Sequence, residues 1–324
     1  MLVIPEAQVD SLLPVADAIE LVRTAFAAFS RGEVVCPQRL PLPLKPEPAV
    51  LLCMPAFDGK RYAGVKLIGV QPENAARGLP TVRASYMLFD GLTCEPLAVM
   101  GASRLTAIRT GAAGGVAASL LALPNTSTMA LIGAGTQAET QLLAAQAVRP
   151  IRDVWIVSAS EQETAYFVSR MEGRVTAQLH CARSSAEALE HAEIVVTATN
   201  SSRPVFSDAD VQPGCHITAI GAFTTAMQEV PDETLRRAAV YLDGDEAAWS
   251  ESGELAGAFA RGVIARDHAV GEIGALVDGR LPGRRDDTQI TVFKSVGLAA
   301  QDLVCAVAVY ERARETGGGI SAVL

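Results

Sequence analysis

No two of the six cysteines stand at C-x-x-C spacing; positions 36, 53, 94, 181, 215 and 305 are scattered along 324 residues. That argues against a zinc site and a disulfide framework, and a cytoplasmic compartment is the expectation. The four histidines, at 180, 191, 216 and 268, show no metal-ligand spacing, so no metal is expected. There is no G-x-S-x-G turn and no cysteine–histidine couple for covalent catalysis. No Lys/Arg block occurs either. The 27 basic and 36 acidic residues give a formal net charge of −9, which disfavours nucleic acid as a partner. No apolar run reaches the ~18 residues of a membrane helix, and the opening MLVIPEAQVD lacks the basic start of a signal peptide.

What is present suits a globular chain. A hydrophobic content of 49% supplies a sizeable core, 19% charge speaks against disorder, and the length suggests about two domains. Residues 15–29 place Val15, Ile19, Val22, Phe26 and Phe29 on one helical face, with Glu20 and Arg23 turned outward. The proline-rich stretch CPQRLPLPLKPEP then excludes a helix or central strand and reads as a loop or edge segment. Strand-like runs at 49–57, 62–70, 85–89 and 96–100 follow without intervening helices, which predicts a largely antiparallel sheet. A small-residue helix over 103–123 comes next. From Thr128 the pattern becomes MALIG, helix, VWIV, helix, IVVTAT, HITAIG and AVYLD, the alternation of a doubly wound parallel sheet. The last helix, VGLAAQDLVCAVAVYERARE, is too apolar to stand free, so it is expected to return to the first domain or to a partner subunit. The closing TGGGISAVL is expected to fray.

One loop carries a recognisable chemistry. LIGAGTQAET follows a strand and opens a helix, the setting in which a glycine-rich turn holds a dinucleotide. Gly133 permits the tight turn, Gly135 lets the backbone approach the pyrophosphate, and Ala138 is small enough for close helix–sheet packing. The helix N-terminus offers free N–H groups to the anion. The next strand, VWIV, ends in Ser158-Ala159-Ser160 rather than in the acid that usually holds the ribose hydroxyl of NAD. Hydroxyls at Ser158 and Ser160 accept a 2′-phosphate better than a carboxylate does, which favours NADP(H) over NAD(H). No arginine stands beside them, although Arg183 after the next strand is a candidate to reach the phosphate. The alternative is that these serines only cap the following helix.

Three cations stand out among apolar neighbours: Arg39 in the proline-rich loop, Lys66 inside GVKLIGV, and Arg109 inside an alanine-rich helix. Each alone reads as a long side chain reaching solvent. Together, outside the nucleotide region, they suggest a pocket for a small carboxylate.

The segments GVKLIGVQPEN (64–74), LTAIRTGAA (105–113), LIGAGTQA (131–138), IVVTAT (194–199), AIGAFTTAMQEV (219–230) and TVFKSVGLAAQD (291–302) resemble, in this order, the ornithine cyclodeaminase/mu-crystallin family. The resemblance implies an α/β fold, a Rossmann-type doubly wound parallel sheet inserted in a smaller α+β substrate and dimerisation domain. Residues 1–117 with 300–324 would form the latter and 118–299 the former, in a homodimer. It implies that Arg39, Lys66 and Arg109 bind a substrate carboxylate beside the nicotinamide, with Thr110 close by. Ring size is expected to depend on pocket depth around Met54, Leu67 and Phe223. Gly133, Ala134, Gly135, Thr136 and Gln137 would meet the pyrophosphate, Ser158 and Ser160 the adenosine ribose, and Thr197, Ala198, Thr199 and Gly221 the cleft.

One departure bears on the reaction. Ornithine cyclodeaminases carry an aspartate where this chain has Phe223, and a phenyl ring neither acts as a base nor holds an ammonium. Members of the family with an uncharged residue there resemble ketimine reductases. The resemblance therefore implies NAD(P)H-dependent reduction of a small cyclic imino acid, Δ1-pyrroline-2-carboxylate or Δ1-piperideine-2-carboxylate, with Lys66 polarising the substrate or relaying a proton. The alternatives are ornithine cyclodeamination with another acid such as Glu229 in the missing role, alanine-dehydrogenase-like chemistry, and mu-crystallin-like binding without turnover.

Overall fold

The computed structural model describes residues 1–323. The chain divides into two compact units: Met1–Arg109 with the segment from Leu298 onward, and Thr110–Gly297. The helix Ser103–Leu121 therefore begins in the first unit and ends in the second.

In the first unit, β1 (Leu2–Ile4), β2 (Leu40–Pro43), β3 (Val50–Phe57), β4 (Tyr62–Val70), β5 (Val82–Asp90) and β6 (Pro96–Gly101) build one sheet. Its order is β1–β6–β5–β4–β3–β2, antiparallel from β2 to β6 and parallel between β1 and β6. Aspartates make the turns. Asp58 Oδ1 accepts the N–H groups of Lys60, Arg61 and Tyr62, and Asp90 Oδ1 those of Leu92 and Thr93. The proline-rich stretch supplies the outermost strand, β2, where Pro41 and Pro43 leave the interior hydrogen-bond ladder intact.

Two helices belong to this unit. Val15–Ser30 buries Ile19, Val22 and Phe26, while Val15 and Phe29 are half-buried. Ala299–Thr316 packs against it and lies over β3, β4 and β5, so the apolar last helix does return to the first unit. The C-terminal tail differs from expectation. Gly317 (φ +70°) ends the helix in the left-handed region, and Ile320–Ser321 then pairs antiparallel with β1 instead of fraying. The backbone groups of β1 at the sheet edge recruit it.

The second unit holds β7 (Thr128–Ile132), β8 (Asp153–Val157), β9 (Gln178–Cys181), β10 (Ile194–Thr197), β11 (His216–Ala219), β12 (Ala239–Leu242), β13 (Ala269–Glu272) and β14 (Thr291–Lys294). Every neighbouring pair is parallel, in the order β13–β12–β14–β11–β10–β7–β8–β9. The Rossmann-type expectation is met. Leu131, Ile156 and Val196 pack with Leu142 and Phe167 on one face; Val195, Ile217 and Val292 pack with Leu235 and Leu255 on the other. From β7 the chain runs outward through β8 and β9, then returns to β10 on the opposite side, so the topological switch point lies between β7 and β10.

Candidate functional site

In the nucleotide-like unit, the expected cofactor residues gather at the carboxyl ends of four adjacent strands: β8, β7, β10 and β11. Gly133, directly after β7, has φ +115°, and a Cβ there would sit 2.5 Å from the carbonyl oxygen of Ala198 after β10. Only glycine fits that approach. A Cβ on Gly135 would meet nothing within 4 Å, so the space before this residue is open. Gly135 is also the N-cap of the helix Thr136–Val148 and gives it no side-chain cap. The first N–H groups of that helix therefore face outward, as an anion site requires. Gln137 Oε1 is buried and has no hydrogen-bond partner among the described residues. Open space and uncapped backbone donors fit a pyrophosphate.

The tip of β8 is less open. Ser160 Oγ accepts from Glu163 N at 3.2 Å, capping the helix Glu161–Met171. Ser158 Oγ lies 3.0 Å from Ser160 O and 2.9 Å from Thr164 Oγ1. Arg183, after β9, is ion-paired with Glu187 at 3.1 Å. The strand tip thus carries no acid, and its hydroxyls are engaged with the local helix.

Beyond β10 and β11, Glu229 organises the loops. It is fully buried, and its carboxylate accepts from Thr197 Oγ1 (2.9 Å), Thr199 N (2.6 Å), Thr199 Oγ1 (2.8 Å), Gly221 N (2.7 Å) and Ala222 N (3.2 Å). Burial pushes its pKa up, while Lys294 and the Thr199 hydrogen bonds pull it back. The nearby Glu254 charge adds to the rise, and both Glu229 oxygens are already taken up by hydrogen-bond donors from the protein. That removes Glu229 as a replacement for the aspartate absent at Phe223. Phe223 itself is half-buried in the same loop.

In the first unit the sheet register sets a row of side chains beneath the last helix. Met54 pairs with Lys66, Lys66 with Tyr86, and Tyr86 with Met100. All four are buried, and Lys66 is 0% exposed. The period of two puts Lys66 and Met54 on the helix-covered face, while Leu67 next to Lys66 faces out and so, against expectation, does not share a pocket with Met54. Lys66 does not reach solvent; it meets Asp302. Lys66 Nζ donates to Asp302 Oδ2 at 2.6 Å, and Arg109 Nε donates to Asp302 Oδ1 at 3.0 Å. Arg109 Nη1 also donates to Gln301 Oε1 at 2.9 Å.

Desolvation and the charge of Arg109 pull the Lys66 pKa down to about 7; Asp302 opposes them, and Arg39 adds to the lowering. The structure thus brings Lys66, Arg109 and Met54 together and sets Arg39 close enough for its charge to act on Lys66. Thr110 and Phe223 belong to the other unit. Sequence reasoning missed Asp302 and Gln301. The signal was available, because an acid inside an apolar helix is as anomalous as a lysine inside an apolar strand.

Comparison with known proteins places this geometry in context. The profile of the ornithine cyclodeaminase/mu-crystallin family matches residues 2–317. The chain is 37% identical over 321 residues to a Δ1-pyrroline-2-carboxylate reductase of Bacillus cereus, covering 98% of each chain. It is 38% identical over 312 residues to an alanine dehydrogenase of Archaeoglobus fulgidus, covering 96% of this chain and 95% of that one. Among solved structures, the Thermococcus litoralis Δ1-pyrroline-2-carboxylate reductase in complex with NADH and L-proline matches with a TM-score of 0.97 at 33% identity, over 99% of this chain and 100% of that one. With the match running the length of the chain, the protein belongs to the ornithine cyclodeaminase/mu-crystallin family.

Proposed function

We propose that this protein reduces a small cyclic imino acid, Δ1-pyrroline-2-carboxylate or its six-membered homologue Δ1-piperideine-2-carboxylate, to the saturated amino acid. The observation that carries the reading is the buried cluster Lys66–Asp302–Arg109, in which two cations share one carboxylate. The reductase relatives from Bacillus cereus and Thermococcus litoralis support it. A substrate carboxylate supplies the second anion, held by Arg109 and Arg39. Lys66, fixed by Asp302, donates the proton that the ring nitrogen gains.

The hydride for the carbon of the C=N bond would come from a nicotinamide cofactor when one is bound. The residues that would hold it are Gly133, Ala134, Gly135, Thr136 and Gln137 at the pyrophosphate and Thr197, Ala198, Thr199 and Gly221 beyond β10 and β11. Arg109 and Thr110 stand on the helix where the two units meet in sequence. Ser158 and Ser160 meet the adenosine ribose. With no acid at the tip of β8, NADP(H) is accepted in preference to NAD(H). The engaged hydroxyls and the Arg183–Glu187 pair keep that preference small. Phe223 provides no carboxylate, which speaks against ornithine as substrate.

The protein acts as a homodimer, a reading supported by the archaeal alanine dehydrogenase dimer, 36% identical with a TM-score of 0.94. The face of the first-unit sheet opposite the last helix leaves Leu40, Leu42 and Leu67 exposed, and a second copy of the chain covers it.

The test follows NADPH and NADH oxidation with the five- and six-membered cyclic imines, alongside ornithine or alanine with NAD⁺. Turnover of a cyclic imine well above the other substrates is expected. Brisk ornithine deamination or alanine oxidation without imine turnover would overturn the reading.

A further inference from the structure

Glu229 is the most heavily hydrogen-bonded buried acid in the nucleotide-like unit, and the proposed reduction does not use it. Its five donors come from two loops: Thr197 and Thr199 at the end of β10, and Gly221 and Ala222 after β11. The clamp is tight. A Cβ on Gly221 would lie 2.1 Å from Thr199 O and 2.4 Å from Glu229 Oε1, so the two loops touch where the carboxylate joins them.

A second layer holds Glu229 itself. Its N–H donates to Glu254 Oε1 at 2.9 Å, and Glu254 Oε2 is held by Ser252 Oγ at 2.9 Å and by Lys294 Nζ at 3.0 Å. Lys294, at the end of β14, also donates to Ala222 O at 2.6 Å. Glu229, Glu254 and Lys294 are all buried. Burying two carboxylates and an ammonium is costly. The arrangement fixes three strand ends, with Lys294 paired to Glu254 and Glu229 held by its hydrogen-bond donors.

The topology says what those loops face. The pyrophosphate turn follows β7, and β8 and β10 flank β7 on opposite sides. In a doubly wound sheet the tip of the second strand receives the adenosine ribose, so the opposite side receives the nicotinamide half. That side is the β10 and β11 loops. We infer that Glu229 is the positioning residue for the nicotinamide half of the cofactor, acting through the backbone of Thr199, Gly221 and Ala222 without touching the reacting atoms. This inference rests on the cofactor reading above.

Glu229→Gln is isosteric but puts an NH₂ opposite at least one of these backbone N–H groups, so a loop must move away. The experiment measures NADH, NADPH and ADP-ribose binding by calorimetry on the full chain, beside steady-state kinetics. ADP-ribose carries the adenosine and pyrophosphate but no nicotinamide. The expected result is at least tenfold weaker binding of the reduced dinucleotides, ADP-ribose within twofold of wild type, and a lower kcat with cofactor saturating. Thr199→Val, which removes one donor and keeps the backbone N–H, gives the same split at smaller size and serves if Glu229→Gln does not fold. Equal losses for ADP-ribose and dinucleotide, or full retention of both, would overturn the inference alone. A wild-type protein that binds none of the three overturns the cofactor reading and this inference with it.

Discussion

Asp302 accepts a 2.6 Å hydrogen bond from Lys66, 236 residues away in sequence, and neither side chain is exposed to solvent. The other oxygen of the same carboxylate takes Arg109. A sheet and the helix that closes over it are thus joined by charge as well as by apolar packing. Asp302→Asn keeps the shape and removes the only negative charge in this three-residue cluster. Breaking a buried pair from one side typically costs about 3–5 kcal/mol. Urea unfolding of Asp302→Asn should show a loss of that order, and a change below ~1 kcal/mol would mean that the cluster is not held by charge.

The same pair sets a pH dependence. Lys66 is drawn from its ordinary 10.5 down to about 7, chiefly by burial and then by Arg109. Its proposed role needs the protonated amine, so kcat/KM for imine reduction should fall as pH rises through about 7. Asp302 is the influence that raises this pKa, and removing it should move the fall to lower pH. Lys66→Arg keeps its charge at every accessible pH. A pH profile in which wild type and Lys66→Arg decline together would remove Lys66 from the proton transfer.

Much of this was legible before the structure, for identifiable reasons. The antiparallel runs between 49 and 101 were readable because each is long enough to show alternation, and Lys66 was conspicuous because it broke one of them. The nucleotide-like unit was legible as a class but incomplete in detail. Six of its eight strands are only four residues long, among them QLHC at an exposed edge, AVGE at the other, and TVFK, which is buried throughout. None offers a period to count. Asp302 was illegible as a partner because its contacts lie 236 and 193 residues away, and Glu229 because its donors come from two separate loops; a single sequence fixes no such pairing. Ser158 illustrates the opposite limit, since its residue type was visible but its engagement with Thr164 and Ser160 was not.

The glycine turn separates folding from binding at two sites, Gly133 and Gly135, with Ala134 between them. An alanine at Gly133 meets the Ala198 carbonyl at 2.5 Å and a φ of +115°, so Gly133→Ala should destabilise the unit and weaken cofactor binding together. An alanine at Gly135 meets no protein atom within 4 Å, at a φ of −90° open to any residue. Gly135→Ala should therefore keep the wild-type melting temperature while lowering NADH affinity by tenfold or more, because the methyl occupies space needed by the pyrophosphate. Thermal melts with and without NADH distinguish the two. Wild-type affinity in Gly135→Ala would place the pyrophosphate elsewhere.

The outer face of the first-unit sheet predicts the assembly. Register brings Leu40, Cys53 and Leu67 into one row and Leu42, Leu51 and Gly69 into the next, all on the face opposite Lys66. Leu40 is 67% exposed, Leu42 55% and Leu67 44%, an apolar surface of the kind that a subunit contact covers. Leu67 sits in a central strand with its neighbours on both sides paired, so Leu67→Asp changes the surface while the ladder stays intact. Sedimentation velocity should find a dimer for the wild type and a monomer for Leu67→Asp, with an unchanged circular dichroism spectrum. A Leu67→Asp protein that remains dimeric would move the subunit contact to another surface.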